Sequence, residues 1–377
     1  MANKKFNYKI NDAQGTIIDP LPVKDFDIEK YCDYEQSLKE KCSDFWSAEE
    51  GVAVYRRFRV PEVFSYGCKD MRNSLELQLG CLKESMRYKA DIPNFLEPWY
   101  GIGTVASAFG TDYEWHENQA PAIKPTFDSI AAALKHDFVD VGETAIGKHT
   151  LDMIDYFLTE TEGKIPISFT DTQSPLDTAT MVVPMTTLCM EMYNDPEGYI
   201  QLLSILSNLL ISFTKKQEDL IGDSLVKPGH GFASSREFAG LGMSDDFAMM
   251  VSDEFLSRFE QPSRERIGAE FGGCVFHSCG NWAKRIPAIK KIGNLIMVDA
   301  AFSAETDPDH NQPEPFAEGF VNTGIVVNAR IVGDPDTIAD KVEKLWQPGM
   351  KLIVVTYCQT PDEQKEAYDR IHAICGS

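Results

Sequence analysis

An alternation constrains the fold of this chain more than any other feature. Short apolar runs, IPISFTD (165–171), CVFHSCG (274–280), NLIMVDA (294–300), GIVVNAR (324–330) and KLIVVTYC (351–358), each read as a buried strand. Longer helical patterns follow or lie between most of them. In DPDTIADKVEKLW (334–346), Asp334 stands at an N-cap and Pro335 at the first helical position, and Ile338, Val342, Leu345 and Trp346 recur on one face. TPDEQKEAYDRI (360–371) opens with a capping box, Thr360 to Glu363, and NDPEGYIQLL (194–203) and SDEFLSRF (252–259) start in the same manner. Strand then helix, repeated, means parallel strands joined by crossover helices. The expected fold is a single (β/α)8 TIM-type barrel over 46–377. Residues 1–45, polar and irregular in pattern, are expected to form an N-terminal arm packed on the barrel. A doubly wound open sheet is the alternative, but no strand–G-x-G-x-x-G–helix unit is present. GIGTVASAFG (101–110) has the wrong glycine spacing and follows FLEPWY rather than a strand.

Composition narrows the partners. With 58 acidic against 36 basic residues the net charge is −22, and no Lys/Arg run is long enough to track phosphates, so nucleic acid is not an expected partner. Nine scattered cysteines are an odd number and make no disulfide framework, which points to reduced thiols and a cytoplasmic location. MANKKFNYKINDAQG has no apolar core of a signal peptide. YIQLLSILSNLLISF (199–213) is too short, and too interrupted by Gln, Ser and Asn, to span a bilayer; it reads as a buried amphipathic helix, and no membrane partner is expected.

CVFHSCGNW (274–282) carries the chemistry. Side chains alternate along a strand, so His277 and Cys279 share a face at the C-terminal end of theirs, where barrel enzymes build active sites. Cys358 closes the run KLIVVTY just before a capped helix, whose N-terminus favours a thiolate. One imidazole and two thiolates from two strand ends would make a three-ligand zinc site with an open position, the catalytic pattern. Taken locally, the His-x-Cys pair is equally compatible with the end of a buried strand. Cys274 faces away from the pair, and Cys189 and Cys375 lie in helical patterns, so all three read as packing residues.

Long stretches carry a family resemblance: YKADIPNFLEPWYGIGTVASAFGTDYEW (88–115), DTQSPLDTATMVV (171–183), GLGMSDDFAMMVSDEFLSRFEQP (240–262), and HSCGN followed by LIVVTYCQTP. The chain resembles the uroporphyrinogen decarboxylase superfamily from about residue 60 to 365, and within it the corrinoid-linked zinc methyltransferase branch, of the methylcobamide:coenzyme M methyltransferase type. Members of that branch carry His-x-Cys and a second Cys in the terminal strand as zinc ligands. The resemblance thus implies Zn2+ on His277, Cys279 and Cys358, and methyl transfer between a corrinoid and a thiol or related acceptor. No Asp-x-His-x-x-Gly is present, and DPDHNQ (307–312) fails the pattern, so the methyl-corrinoid would be a co-substrate carried by a partner protein. Assembly into a homo-oligomer is left open.

Two other readings stand beside this one. Decarboxylases of the superfamily act without cofactor on tetrapyrrole acetate side chains and use an Arg-Gln-Ala-Gly-Arg segment. YRRFRVPE (55–62) offers Arg56, Arg57 and Arg59 without that motif, and Glu97 stands near the position of the decarboxylases' pyrrole-binding Asp. A non-catalytic zinc- or ligand-binding barrel is the third reading. Further candidates for the catalytic site are Asp171 at the end of IPISFTD, and Asp245 and Asp246 in SDD, one facing the pocket or else capping a helix. Asp171 or Asp299 could orient His277. His230 in KPGHGF is expected as a solvent-exposed turn histidine, and His372 as a surface residue. Phe95, Trp99, Tyr100 and Trp282 are expected as rim aromatics that select the substrate.

Overall fold

The structure, a computed structural model, describes residues 14–376. Eight parallel strand segments matter to the site: β1 (Gly51–Arg56), β2 (Ile167–Ser168), β3 (Leu225–Val226), β4 (Leu241–Ser244), β5 (Cys274–His277), β6 (Leu295–Ala301), β7 (Val326–Ile331) and β8 (Lys351–Thr356). Six of them form one continuous parallel sheet in the order β1-β8-β7-β6-β5-β4. The ring closes between β1 and β4 through two irregular segments, 91–97 and 165–174. Asp91 N–H donates to Val54 O at 2.8 Å, Leu96 N–H to Pro166 O at 2.8 Å, and Ser174 N–H to Ser244 O at 2.8 Å. β3 is wedged beside β2. The expected barrel is therefore present: the six-stranded sheet supplies six staves, and the irregular segments 91–97 and 165–174 supply the other two.

The reason for the irregularity lies in the sequence of the first segment, DIPNFLEPWY. Pro93 and Pro98 cannot donate to a ladder. Side chains replace the missing bonds: Asn94 Nδ2 donates to Arg56 O at 2.9 Å, its Oδ1 accepts from Phe58 N–H at 3.0 Å, and Asp91 Oδ2 accepts from Val54 N–H at 2.9 Å.

Strand alternation sorts the barrel into two apolar layers. Val54, Phe276, Val298, Ala329, Leu352 and Val354 face the helices, whereas Tyr55, Val275, Met297, Val326, Ile353 and Val355 face inward. Continuing the inward rows to the C-terminal rim brings Ser244, His277, Asp299 and Arg330 to one cavity. Phe232 fills the barrel axis below them because β4 has Gly242, where a Cβ would lie 2.2 Å from the Phe232 ring.

α1 spans Ile28–Ser47, α2 Pro196–Ile221, α3 Gln261–Phe271, α4 Pro335–Leu345 and α5 Pro361–Cys375. Four of these five main helices begin at a side-chain cap, and α3 begins without one. Asp334 accepts from Thr337 N–H at the start of α4, and both halves of the Thr360–Glu363 capping box are formed on α5. The apolar stretch 199–213 lies in α2 and buries Leu202, Leu206, Leu209 and Leu210. No helix among the described residues is long and apolar enough to cross a membrane.

Two expectations are corrected. Residues 28–45 are not irregular: they form most of the helix α1, capped by Asp27 and buried through Tyr31, Leu38, Cys42 and Phe45. The spacing of those four is helical, and the abundance of charges between them masked it. Residues 1–13 of the expected arm lie outside the described residues. SDEFLSRF begins as a helix on the Ser252 cap, but a wide π turn at Leu256–Glu260 interrupts it before α3 and buries Glu260.

α1 and α5 are tied to β1 by one buried carboxylate rather than by surface residues alone. Asp91 accepts from Lys41 Nζ at 3.0 Å, Tyr368 OH at 2.6 Å and His372 Nε2 at 2.9 Å. Burial pushes its pKa up, but His372, Tyr368 and Val54 N–H outweigh that and hold it below its ordinary value. A depressed carboxylate stabilises the fold above its unfolded pKa of about 4, and that stabilisation is lost as pH falls through the folded value. Asp91→Asn is accordingly expected to lose about 2 kcal/mol at neutral pH, the range for hydrogen bonds to a charged group. In urea unfolding the gap to wild type should narrow below about pH 4; a gap independent of pH would show that the charge is not what matters.

Candidate active site

The inward residues of the C-terminal rim enclose a cavity of about 420 Å³. One part of its wall is the end of β5. His277 and Asp299 are register partners on β5 and β6 and point the same way. Their Nδ1–Oδ2 distance is 2.6 Å. Arg330 Nε lies 3.0 Å from the same carboxylate, and Asn328 Nδ2 donates to its other oxygen at 2.5 Å. Burial pushes the Asp299 pKa up, but Arg330, His277 and Asn328 outweigh it and hold the group at about 2. An ionised carboxylate only accepts, so Nδ1 of His277 is the donor in this pair, and Nε2 is the nitrogen turned toward Cys279.

The Sγ of Cys279 is 3.9 Å from that nitrogen. Ligand atoms of Asp246, His277 and Cys279 all lie within 4.8 Å of one another. The turn bearing Cys279 is pinned by three side chains. Asp246 Oδ1 accepts from Cys279 N–H at 2.7 Å, Asp307 Oδ2 from Gly280 N–H at 2.6 Å, and Asn311 Oδ1 from Trp282 N–H at 2.9 Å. Gly280 has φ +77°, a conformation that other residues adopt only with strain, so the HSCGN turn needs its glycine. Partial desolvation and the adjacent Asp246 carboxylate push the Cys279 thiol up to about 12.

The Asp246 loop is anchored from behind. Asp245, fully buried, takes Ser174 Oγ–H at 2.9 Å and Arg264 Nη2 at 2.9 Å, and its N–H donates to His277 O at 2.9 Å. Buried Asp177 accepts from the N–H groups of Asp246 at 2.9 Å and Phe247 at 2.7 Å. Of the two SDD aspartates, Asp246 is exposed toward the His277–Cys279 pair and Asp245 is structural.

Opposite β5 the wall is charged. Asp171 accepts from Trp99 Nε1 at 2.9 Å and Gln173 Nε2 at 2.8 Å. His230 lies between two carboxylates, Nδ1 2.8 Å from Glu97 and Nε2 3.4 Å from Asp171. Burial raises the Glu97 pKa, but His230, Arg57 and the Gly231 N–H overcome this and hold it at about 2. Arg57 and Arg59 complete the wall with Arg330.

The expected residues thus divide. His277, Cys279 and Asp246 meet, with Asp299 behind His277; Glu97 and Asp171 meet on the opposite wall. Cys358 is not among the clustered ligand atoms. It is 3% exposed and packs with the outward layer, because Ile353, Val355 and Tyr357 take the inward row of β8. Burial pushes its thiol up to about 11. Trp282 is not a rim aromatic: it is fully buried against Phe276, Phe316 and Phe320. His230 is not a solvent-exposed turn histidine, since its flanking glycines turn it into the cavity, and His372 binds Asp91 rather than standing free. Arg330 was missed, although its place at the end of GIVVNAR, in the same row as Asn328, carried the signal. Nothing local in YRRFRVPE distinguished Arg57 and Arg59 from Arg56, which turns away and donates to Cys358 O at 2.8 Å.

A family model described as Uroporphyrinogen decarboxylase (URO-D) matches residues 50–364. The chain belongs to the uroporphyrinogen decarboxylase family. Among solved structures it is similar to a methyltransferase from Methanosarcina mazei, with a TM-score of 0.64 and 12% sequence identity, over 89% of this chain and 98% of that one. At that identity the likeness of this URO-D family member to the methyltransferase concerns the fold alone. No curated protein matches the sequence.

Proposed function

We propose that this URO-D family protein is a zinc-dependent methyltransferase that moves a methyl group between a corrinoid on a partner protein and a thiol-type acceptor. The observation that carries the reading is the His277–Cys279 pair at the rim, with Asp299 fixing the tautomer of His277. Imidazole nitrogen and thiolate sulfur are the donors zinc takes, and a carboxylate behind a ligand histidine is the usual support for one. The donor set therefore fits the metal. His277 and Cys279 would hold it, with Cys358 the further ligand implied by the family resemblance.

When bound, the metal supplies a positive charge that keeps an acceptor thiol deprotonated and nucleophilic near neutral pH. The demand is real, because a free alkyl thiol of pKa about 8.5 is only about 3% thiolate at pH 7. The chain's own residues do the rest. Asp299 and Arg330 orient His277, the Asp246, Asp307 and Asn311 contacts hold the Cys279 turn, and Phe232, its ring 6.2 Å from that of His277, limits water beneath the site. The corrinoid partner would approach from the open C-terminal rim. In this reading the protein acts in the cytoplasm.

Elemental analysis of the purified chain tests the reading. About one zinc per chain is expected, lost in Cys279→Ser while the circular dichroism spectrum is unchanged, since a catalytic metal contributes less to folding than a structural one. Methylation of a thiol from a methyl-corrinoid should disappear with it. Absence of zinc from wild type under chelator-free, reducing conditions would reject the mechanism.

One observation favours a second reading. Arg57, Arg59 and Arg330 share the cavity with Asp171 and Asp299, and Glu97 lies against Arg57, a set that could grip a tetrapyrrole polycarboxylate. Incubation with uroporphyrinogen, followed by chromatography of the oxidised products, distinguishes it: loss of carboxylates without added metal would replace the methyltransferase reading.

A further inference from the structure

We propose that Asp246 is itself a ligand of the metal, so that the site is built on Asp246, His277 and Cys279. This rests on the zinc reading above and goes beyond its ligand set. A carboxylate oxygen of Asp246, an imidazole nitrogen and the Cys279 sulfur converge within 4.8 Å. Oxygen, nitrogen and sulfur are all donors that zinc accepts at bonding distances near 2 Å, and three protein ligands leave one tetrahedral position for substrate.

The placement of Asp246 is built rather than incidental. Its Oδ1 is joined to the Cys279 N–H at 2.7 Å, which ties the loop after β4 to the loop after β5. Asp177 grips the backbone of Asp246 and Phe247, and Asp245 is bonded to His277 O, Ser174 and Arg264. Cys358 has no comparable arrangement. β7 and β6 separate its strand from β5, its carbonyl is held by Arg56 at 2.8 Å, and the next carbonyl, that of Gln359, by Tyr88 OH at 2.9 Å.

Zinc affinity of the full chain, measured by chelator competition, separates the possibilities. Asp246→Asn should weaken zinc binding by about 100-fold or more, at or beyond the upper end of what is lost when only a supporting group is removed. Asp246→Cys should restore binding, and in the cobalt-substituted protein it should add thiolate-to-metal charge-transfer absorption that Asp246→Asn lacks. Loss of binding in both Asp246→Asn and Cys358→Ser, with rescue by Asp246→Cys, still makes Asp246 a ligand. Wild-type affinity in Asp246→Asn, alongside loss in Cys358→Ser, would overturn the proposal and leave the zinc reading intact. Wild-type protein that binds neither metal would reject the zinc reading and this proposal with it.

Discussion

Replacing Arg264 by methionine is expected to cost about 3–5 kcal/mol, because one partner of a fully buried ion pair is removed while its carboxylates stay behind. Arg264 is fully buried at the start of α3. It reaches Asp245 at 2.9 and 3.2 Å, Glu260 at 2.9 Å and the carbonyl of Val275 at 3.2 Å. One guanidinium thus serves two carboxyl groups, and Asp177 lies beside the same cluster. Burial and the neighbouring Asp245 push the pKa values of Asp177 and Glu260 well above the ordinary carboxylate range. Groups raised in this way hold protons in the folded state that they release on unfolding. Their contribution is fully present below the unfolded carboxylate value and declines as pH rises through the folded one. Without Arg264 the cost of ionising the cluster grows, so the deficit should be largest at pH 8 and shrink toward about pH 5. Urea unfolding of Arg264→Met at those two values provides the check. Equal deficits would mean that Arg264 acts through packing alone.

The second large effect is expected at Asp299. Asp299→Ala should lower zinc affinity by about 10- to 100-fold, the usual consequence of removing the carboxylate behind a ligand histidine. Two losses combine. His277 no longer has its Nδ1–H bound, so the tautomer that offers Nε2 is not enforced, and half-buried Arg330 is left beside the cavity without its carboxylate. Asp299→Asn keeps a hydrogen-bond acceptor but not the charge, and an intermediate affinity is expected. Because Asp299 is held at about 2, its contribution should be constant from pH 5 upward, and any change of affinity in that range belongs to other groups. Chelator competition at pH 6 and pH 8 measures both points. An Ala variant with wild-type affinity would show that the Asp299–His277 contact does not orient a ligand.

These two residues also show how far the sequence reaches. Strand alternation is a local property with period two, so the runs at 274–280, 294–300, 324–330 and 351–358 could be read directly as barrel staves, and His277 and Cys279 could be assigned to one face at a rim. Asp299 was within reach for the same reason, as the inward residue at the end of the neighbouring strand. Local caps likewise announced α4 and α5. What one strand's pattern does not contain is register, or the path of the chain after the strand ends. β8 places Tyr357, not Cys358, in the inward row, and the stave at 91–97 survives its two prolines only because Asn94 and Asp91 take over backbone bonds from β1.

Loop geometry was decided entirely by tertiary contacts. Whether Asp245 or Asp246 faces the cavity depends on Arg264 and Ser174 claiming the former and on Cys279 N–H claiming the latter. His230 enters the cavity because Glu97 and Asp171 lie on adjacent staves there, and Trp282 leaves the rim because Phe276, Phe316 and Phe320 form a pocket that buries it. Periodicity and capping act over a few residues and were legible in the chain. The pairing of buried charges acts across staves far apart in sequence, and only the closed barrel brings those partners together.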